Sequence, residues 1–456
     1  MKNKLKLTFY GGAKTVTGSN FMLENDKKKI LIDAGLYQGE KLCENKSCDD
    51  FIYDPSSVDT LLVTHSHADH IGRIPKLIHE GFKGEIYSTE ETKEISEIML
   101  NDSLKFVLQA ATEKGGEPIF TKEDIDKTLS LWKTTPYREA IDLGEGFKVI
   151  FRDAGHILGS SIVEVEYNKK KIAFTGDLGN SPTPFLRDNE ILKDVDYLVM
   201  ESVYGDRNHQ DVSTRRKMLE EIIKEVIKEK GVLLIPAFSL SRTQVILYEL
   251  NNLVENSVIS PVPIFLDSPL AIKVTEIYKK RQENLKDKAK KLIASGDKIF
   301  DFPRLKFTPS VEESKAIESV SNPKIIIAGA GMSNGGRIQH HEKKYLGNKN
   351  TTILFVGYQA PGSLGRQIQD GSETVQIFDQ EVKILAKRKT ISGYSGHKGL
   401  DELVEFVEKS SAKLKKVFVV MGEPKASLFL TQRIRDYLDI KAISPEEGET
   451  HELDFS

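Results

Sequence analysis

The sequence predicts an α/β protein of two domains, with the second domain inserted into the first. Its 456 residues are too many for one ordinary hydrophobic core. Short strand-like runs dominate residues 1–206, whereas strand and helix patterns alternate over residues 207–380. From residue 381 the chain returns to the first domain. We therefore expect one domain from 1–206 and 381–456, and an inserted domain from 207–380.

The individual elements follow from hydrophobic spacing, with period two for strands and 3.6 for helices. In the first part we expect strands at 5–10, 21–23, 29–32, 60–63, 149–151, 162–165 and 172–174, and a helix at 89–108. In the inserted part we expect helices at 217–228, 244–254 and 271–278, and strands at 232–236, 264–266, 324–328 and 352–356. In the last part the segment 387–392 leads to His397, and we expect a helix at 400–408 and a strand at 417–420. Strand and helix in turn predict a parallel sheet covered by helices for the inserted domain.

Residues 64–70 place three histidines and an aspartate directly after a predicted strand. On extended chain, His65 and His67 point to the same side and can reach one ion. The turn that follows lets Asp69 and His70 reach a second. Imidazole and carboxylate ligands suit zinc and similar divalent metals. The chain has only ten histidines, so a loop that is rich in histidine by chance is a poor alternative.

Two further ligand candidates follow strands downstream. His156 lies in a glycine-flanked turn, and Asp177 follows the apolar run 172–174. Glycine allows tight turns and close approach of backbone segments. Taken alone, each residue is more typical of an ordinary turn. Their interpretation as metal ligands depends on the motif at 64–70.

The order of these motifs resembles the metallo-β-lactamase fold, and later motifs resemble its β-CASP branch. Residues 198–205 are similar to the acidic motif that opens the β-CASP insertion, and residues 392–397 to the branch's later histidine motif. Residues 11–19 and 31–35 match the family's first hairpin. The resemblance covers essentially the whole chain. It implies an αββα sandwich with an inserted parallel-sheet α/β domain.

The chain most resembles the RNA-processing nucleases of this branch, the bacterial and archaeal relatives of the endonuclease subunit of the cleavage and polyadenylation specificity factor. The resemblance implies two Zn²⁺ ions, with Mn²⁺ as an alternative. It assigns the ligands as His65, His67 and His156 for one ion, Asp69 and His70 for the other, and Asp177 as the bridge. Two such cations share a hydroxide and neutralise the oxygens at phosphorus, which suits phosphodiester hydrolysis.

The resemblance also implies a proton donor, His397, with Glu201 placed to orient its ring. A histidine with a pKa of about 6.5 donates a proton at neutral pH, and a nearby carboxylate raises that pKa. Without the resemblance, Glu201 is more typical of a solvent-facing acid at a strand end. The expected catalytic residues are therefore Asp69, Asp177, Glu201 and His397.

Met421 departs from the family pattern. RNA-cleaving members carry a histidine ligand before a Gly-Glu pair near the C-terminus, and Met421 stands at that position. A thioether is a soft, neutral ligand that suits zinc or manganese poorly beside carboxylates. The second metal would keep only Asp69, His70 and Asp177, so we expect it to bind weakly.

This departure leaves several functions open. The favoured one is metal-dependent hydrolysis of phosphodiester bonds in single-stranded RNA, in RNA processing or decay. A DNA-directed nuclease is an alternative, because DNA-processing members of the branch also lack that histidine. A catalytically weak RNA-binding pseudo-nuclease is another, although every other ligand position is filled. A small-molecule hydrolase is disfavoured, because a small substrate needs no inserted domain.

Three turns that follow strands of the inserted domain are candidates for phosphate binding. They lie at 238–242, 330–337 and 362–366. Strand–loop–helix junctions direct backbone N–H groups at anions, and arginine contacts phosphate through two nitrogens. Each turn alone is more typical of an ordinary turn. Together they predict a weak phosphate track that includes Arg242, Gly335, Gly336, Arg337, Ser363, Gly365 and Arg366.

Composition sets the remaining bounds. The chain is 39% hydrophobic and 29% charged, as in globular proteins, with no run of about 18 apolar residues that could cross a membrane. We therefore expect cytoplasmic residence without membrane contact. Cys43 and Cys48 are the only cysteines, and we expect both to be reduced, without a structural disulfide. A net charge of −3 means that RNA must be held by local groups. A homodimer is left open.

Overall fold

The structure is a computed structural model that describes residues 4–38, 42–209, 212–360 and 362–455. It divides into two units. The first contains residues 1–183, 187–208 and 397–456, and the second contains residues 184–186 and 209–396. The predicted boundaries were 206/207 and 380/381, so the largest difference lies at the end of the inserted segment.

Within the described residues, the first part of the chain supplies eleven strands and four α-helices to the first unit. The strands are β1 (Lys4–Gly11), β2 (Asn20–Glu24), β3 (Lys29–Ile32), β4 (Thr60–Leu62), β5 (Glu85–Ser88), β6 (Trp132–Thr134), β7 (Ala140–Gly144), β8 (Phe147–Asp153), β9 (Ser161–Tyr167), β10 (Lys170–Phe174) and β11 (Tyr197–Met200). The helices are α1 (Ala68–Ile71), α2 (Ile74–His79), α3 (Glu90–Lys114) and α4 (Lys122–Leu131).

The second unit alternates helices and strands. Its helices are α5 (Val212–Lys228), α6 (Arg242–Glu255), α7 (Pro269–Lys280), α8 (Asp287–Ala294), α9 (Val311–Ala316), α10 (Arg337–Tyr345) and α11 (Leu364–Gln369). Its strands are β12 (Val232–Pro236), β13 (Ile264–Asp267), β14 (Leu305–Phe307), β15 (Lys324–Ala328), β16 (Thr351–Phe355), β17 (Thr374–Ile377), β18 (Gln380–Lys383) and β19 (Lys387–Thr390).

The end of the chain completes the first unit. It contributes two helices and three strands, which are α12 (Leu400–Lys409), β20 (Lys416–Val419), α13 (Pro424–Leu438), β21 (Ala442–Ile443) and β22 (Thr450–Asp454). One seven-stranded sheet has the order β22-β1-β2-β3-β4-β5-β6, and the other has the order β21-β20-β11-β10-β9-β8-β7.

Alternating side chains assign each sheet an inner and an outer face. Ile30 and Ile32 of β3 belong to a core that also contains Phe151 and Val163 from the other sheet. Leu31 points to the opposite face, because successive residues of a strand alternate. The predicted αββα sandwich is therefore confirmed.

Helices cover the outer face of each sheet. Leu77 of α2 and Leu100 of α3 pack with Leu31 on the outer face of the first sheet. Phe406 of α12 and Leu430 of α13 pack on the outer face of the second sheet. No helix in the described ranges is both long enough and apolar enough to cross a membrane.

A parallel sheet forms the second unit, as predicted. Its six strands follow the order β14-β13-β15-β12-β16-β19. Each of the five neighbouring pairs is parallel. The strand β19 was expected in the returning part of the first domain, but it pairs with β16 as the sheet's last strand. Its short, basic sequence carries no signal that distinguishes the two assignments.

The prediction of two reduced cysteines is wrong for this structure. Cys43 and Cys48 form a disulfide, with a Cα–Cα distance of 5.2 Å. A short 3₁₀ helix, Lys46–Cys48, folds the intervening loop back on itself and brings the two cysteines together. Sequence spacing did not reveal this turn.

Candidate metal centre

Four side chains from three segments of the first unit converge on one point. The ligand-type atoms of His65, His67, His156 and Asp177 all lie within 4.8 Å of one another. His67 Nδ1 is 3.0 Å from His65 Nε2 and 3.3 Å from His156 Nε2. Asp177 Oδ2 is 3.3 Å from His65 Nε2 and 3.5 Å from His156 Nε2.

These separations fit a single tetrahedral ion. Ligands bound at about 2.0 Å in a tetrahedron stand about 3.3 Å apart. Burial, with His65 and His156 close by, holds the pKa of His67 well below its usual value. The imidazole therefore stays neutral, which is the form that binds a metal. We call these four residues the first ligand group.

The loop that carries His65 and His67 is fixed at both ends. It leaves β4 after Leu62, and α1 begins at Ala68 with His67 as its N-cap residue. His65 is fully buried. The start of a helix directly after an extended strand end places His65 and His67 on one side of the loop and turns the chain towards Asp69 and His70.

Glycines and one serine shape the turn that presents His156. The turn joins β8 to β9, and Gly155 and Gly159 both have positive φ angles, of 67° and 84°. Ser160 Oγ accepts hydrogen bonds from the backbone N–H groups of His156 and Ile157, at 3.0 and 3.2 Å. The backbone of the ligand is therefore held by its own turn.

Gly176 allows Asp177 to approach the histidine loop. A Cβ atom at Gly176 would stand 2.7 Å from Thr64 Cβ, and the φ angle of Gly176 is 52°. Any side chain at position 176 would therefore push the Asp177 strand end away from residues 64–67.

Asp177 also faces a second ligand group, which we define as Asp69, His70 and Asp177. His70 Nε2 lies 3.4 Å from Asp177 Oδ1 and 4.0 Å from Asp69 Oδ2. Within the described part of the chain, both His70 Nε2 and Asp177 Oδ1 are buried without a hydrogen-bond partner. Buried polar atoms are rarely left unpaired, so this pair fits a cation between them.

Asp33 is a functional residue that the sequence analysis did not single out for a role. Its Oδ2 lies 2.7 Å from His70 Nδ1, and it accepts hydrogen bonds from the hydroxyls of Ser19 and Thr64. This contact fixes the ring and tautomer of His70 and leaves Nε2 for the metal. An acid directly after the strand-like run 29–32 was the available signal.

Two carboxylates favour positive charge at His70, whether as a proton on Nε2 or as a cation that displaces that proton. Burial lowers the pKa of His70, but Asp177 and Asp33 outweigh it and hold that pKa well above its usual value. Burial likewise raises the pKa of Asp177, but His70 and His65 outweigh it, so the carboxyl stays ionised.

His397 and Glu201 form a pair beside Asp177. His397 Nδ1 lies 3.2 Å from Glu201 Oε2 and 3.9 Å from Asp177 Oδ2. Glu201 is fully buried, and its Oε1 accepts a hydrogen bond of 2.6 Å from Leu178 N–H. The alternative of a solvent-facing Glu201 does not apply. Burial lowers the pKa of His397, but Glu201 and Asp177 raise it to about 9.

Met421 packs into the core between the sheets. Its side chain is 2% exposed, and its sulfur is so close to Gly12 that a Cβ there would stand 2.6 Å from Sδ. Its backbone N–H donates to Gly12 O at 2.7 Å. The φ angle of Met421 is 47°, in the left-handed region. Met421 is thus an apolar packing residue at the position where the resemblance implies a histidine.

The predicted phosphate residues lie in the second unit, and most have protein partners. Arg337 Nη1 contacts Asp267 Oδ1 at 2.7 Å and Thr308 O at 2.6 Å. Arg366 Nε contacts Asp370 Oδ2 at 2.7 Å. Arg337 therefore neutralises a buried carboxylate, which the sequence could not show.

Backbone groups in the same turns are also engaged. Gly365 N–H donates to Met332 O at 3.0 Å, and the Ser363 hydroxyl accepts from Arg366 N–H at 3.2 Å. A Cβ at Gly336 would stand 2.4 Å from Gly329 O, so this glycine serves close packing. Gly335 has open space around its Cα, and the Arg242 side chain packs near Gly357.

The fold and the paired ligand groups define a metallohydrolase. Sequence models of three domains match the chain in order: the metallo-beta-lactamase superfamily at 14–224, the Beta-Casp domain at 243–368, and the Zn-dependent metallo-hydrolase RNA specificity domain at 381–445. The chain belongs to the metallo-β-lactamase superfamily, in its β-CASP branch.

Two similar proteins span nearly the same length as this chain. Ribonuclease TTHA0252 of Thermus thermophilus is 34% identical, over 93% of this chain and 95% of that protein. RNase J-like protein of Methanocaldococcus jannaschii is 32% identical, over 97% of this chain and 98% of that protein. A crystal structure of a protein from Enterococcus faecalis V583 shares the fold, with a TM-score of 0.58 and 14% identity over 99% of this chain and 100% of the other.

Proposed function

We propose that this protein is a metal-dependent ribonuclease that hydrolyses phosphodiester bonds of single-stranded RNA, in RNA processing or decay. One observation carries the proposal: Asp177 turns one oxygen to each ligand group, and the His397–Glu201 pair stands beside it. This arrangement supplies metal ligands and a proton donor at one place.

Zinc is the metal that we propose, with manganese as an alternative. Three imidazoles and a carboxylate are typical zinc ligands, and the second group has two carboxylates and one imidazole. When bound, a metal pair supplies an activated water and neutralises charge at phosphorus. Asp177 and Asp33 orient the imidazoles of both groups, so the ligands are in place before substrate arrives.

His397 is proposed to protonate the leaving oxygen. With its pKa raised to about 9, the imidazole carries a proton at neutral pH. Glu201 holds Nδ1, which assigns proton donation to Nε2 and fixes the plane of the ring. Because Leu178 N–H anchors Glu201, the ring cannot turn without breaking a buried contact.

RNA is favoured over DNA as the substrate. Residues 381–445 match the domain described as an RNA specificity domain, and the two relatives named above are called ribonuclease and RNase J-like. Arg242, Gly335 and Arg366 remain proposed contacts to its phosphates, because the Arg366–Asp370 ion pair is exposed and can exchange for a phosphate. Arg337 is a poorer candidate, because its partner Asp267 is buried.

The test is cleavage of matched single-stranded RNA and DNA by the zinc- or manganese-loaded protein. Asp177→Ala removes the side chain shared by both ligand groups and is the control for contaminating nuclease. We expect RNA cleavage that falls by a factor of about 100 or more in the variant, the scale of losing a group that positions the reacting atoms. Cleavage of DNA alone, or equal cleavage by wild type and variant, would overturn the proposal.

A further inference from the structure

We propose that the Cys43–Cys48 disulfide is a thiol–disulfide exchange site that tunes metal binding by the second ligand group. The proposal rests on the proposed metal sites but not on RNA cleavage. The oxidised bridge holds in place the chain segment that supports Asp69 and His70. Reduction of the bridge frees that segment and weakens metal binding by these residues.

The bridged loop is tied to Tyr37 by three hydrogen bonds. Asn45 Nδ2 donates to Tyr37 O at 3.0 Å. Ser47 Oγ accepts from Tyr37 N–H at 3.0 Å and donates to Tyr37 O at 3.2 Å. Asn45 and Ser47 lie between the two cysteines, so the bridge fixes the geometry of all three bonds.

The residues before Tyr37 hold the ligand loop by its carbonyl groups. Leu36 N–H donates to Ala68 O at 2.9 Å, and Ala34 N–H donates to His70 O at 2.8 Å. Gly35 is packed so closely that a Cβ would stand 1.6 Å from Asp69 O. Any shift of residues 34–37 therefore moves the backbone of Asp69 and His70.

Two members of the first ligand group have supports of their own, whereas His67 precedes Ala68 on the same loop as Asp69 and His70. His156 is held by Ser160, and Asp177 approaches along Gly176. Neither support includes the bridged loop. The bridge is therefore expected to act more strongly on the second ligand group, since it supports both Asp69 and His70, than on the first, where only the loop residues are coupled to it.

The bridge is accessible to small thiols. Cys43 and Cys48 are both partly exposed. Cys43 lines an open cavity of about 650 Å³, together with Lys14, Thr15 and Asn45. These are the only two cysteines of the chain, so exchange produces one dithiol and no alternative pairing.

Exchange requires a low-molecular-weight thiol of the glutathione class. Its thiolate attacks one bridge sulfur, forms a mixed disulfide and releases the other cysteine as a thiolate, which takes up a proton. A second thiolate attacks the mixed disulfide at the sulfur of the small thiol and releases the first cysteine. Two electrons and two protons pass to Cys43 and Cys48, and the two small thiols leave as one disulfide.

The test measures cobalt(II) binding by visible absorption, without RNA. Full-length apo-protein is oxidised with glutathione disulfide or reduced with a phosphine, and the reagent is removed before titration. We expect the weaker cobalt equivalent to bind about 10-fold less tightly in the reduced protein, the scale of losing an outer support of a ligand. The tighter equivalent should change less.

Two variants distinguish this effect of the disulfide on metal binding from general loosening of the fold. Cys43→Ser with Cys48→Ser should match the reduced protein and lose the redox response. Ser47→Ala keeps the bridge but removes two of the three hydrogen bonds to Tyr37, so its redox response should shrink. Circular dichroism checks that each variant is folded.

Three results would overturn the proposal. They are equal cobalt affinities in the oxidised and reduced proteins, a redox response that persists in the double serine variant, or free thiols after treatment with glutathione disulfide. Loss of RNA cleavage is a separate result, because cobalt binding is read without substrate.

Discussion

Asp177 is the residue on which both ligand groups depend. One carboxylate oxygen faces His65 and His156, and the other faces His70. Its role as a bridge was expected from the family resemblance of a glycine-flanked aspartate that follows a strand. Its close approach depends on Gly176, whose missing side chain makes room for Thr64.

Met421 is expected to limit metal occupancy at the second ligand group. Replacing it by histidine should raise that occupancy towards a full second equivalent, because an imidazole is a far better ligand than a thioether. The affinity for the second metal should increase by about 10-fold or more, since even a residue that only supports a metal ligand changes metal affinity by about that factor. Histidine tolerates the left-handed backbone found at position 421, where φ is 47°.

Elemental analysis after dialysis against a weak chelator measures this effect. Met421→Leu is the matched control, since it keeps an apolar side chain of similar size and should leave the metal content unchanged. Two full equivalents of metal in the unmodified protein would show that Met421 imposes no deficit.

His397 is expected to act in proton transfer and not as a metal ligand. His397→Ala should keep the wild-type metal content and slow RNA cleavage by a factor of about 100 or more, the usual scale of general acid catalysis. The activity of Glu201→Gln should decline at a lower pH than that of the wild type, because the variant lacks the carboxylate that raises the pKa of His397. Metal content and the pH–rate profile are the measurements. Loss of metal from His397→Ala would reassign the residue as a ligand.

At the scale of elements, helix α10 of the second unit buries an unusual acid. Glu342 is fully buried, and its Oε1 accepts from the Ser333 hydroxyl. Within the described residues its Oε2 has no partner. Burial raises the pKa of Glu342 to about 8, so the folded protein holds it protonated at neutral pH.

The stability of α10 should therefore fall as pH rises. The unfolded chain releases this proton near its ordinary pKa of 4.5, and the folded chain near about 8. Between pH 4.5 and about 8, the folded state binds more protons than the unfolded state. The contribution of Glu342 to the free energy of unfolding is therefore fully present below pH 4.5 and is lost as the pH rises to about 8. Glu342→Gln should remove most of this slope and stabilise α10 at pH 8 by on the order of 2–4 kcal/mol.

Hydrogen exchange of the α10 amides, corrected for intrinsic rates at each pH, measures this stability. Glu312→Gln, at an exposed position of α9, is the matched control and should leave the pH dependence unchanged. An unchanged slope in Glu342→Gln would show that another group causes it.

The elements that sequence predicted best are long or strongly patterned. β3 matches the expected 29–32, and β15 matches 324–328. α3 was expected at 89–108 but extends to Lys114. It ends there because Gly115 adopts the left-handed conformation, with a φ angle of 65°. Short strands such as β6, β7 and β17 were missed, since three to five residues are too few to establish a period.

At the scale of the whole chain, ligand order along the sequence was more informative than any local turn. The metal residues follow strands, whose ends a sandwich brings to one edge. Tertiary partners had no such signal: the contact of Arg337 with Asp267 joins α10 to β13, and the Cys43–Cys48 bridge depends on a 3₁₀ turn. The glycines of the predicted phosphate turns likewise serve packing in part.

Anomalous X-ray scattering at the zinc edge, from crystals of the zinc-loaded protein, locates the bound metal directly. We predict a strong peak enclosed by His65, His67, His156 and Asp177, and a weaker peak between Asp177 Oδ1, Asp69 and His70. Absence of metal from the first position in zinc-loaded crystals, or ligands drawn from other residues, would contradict the account.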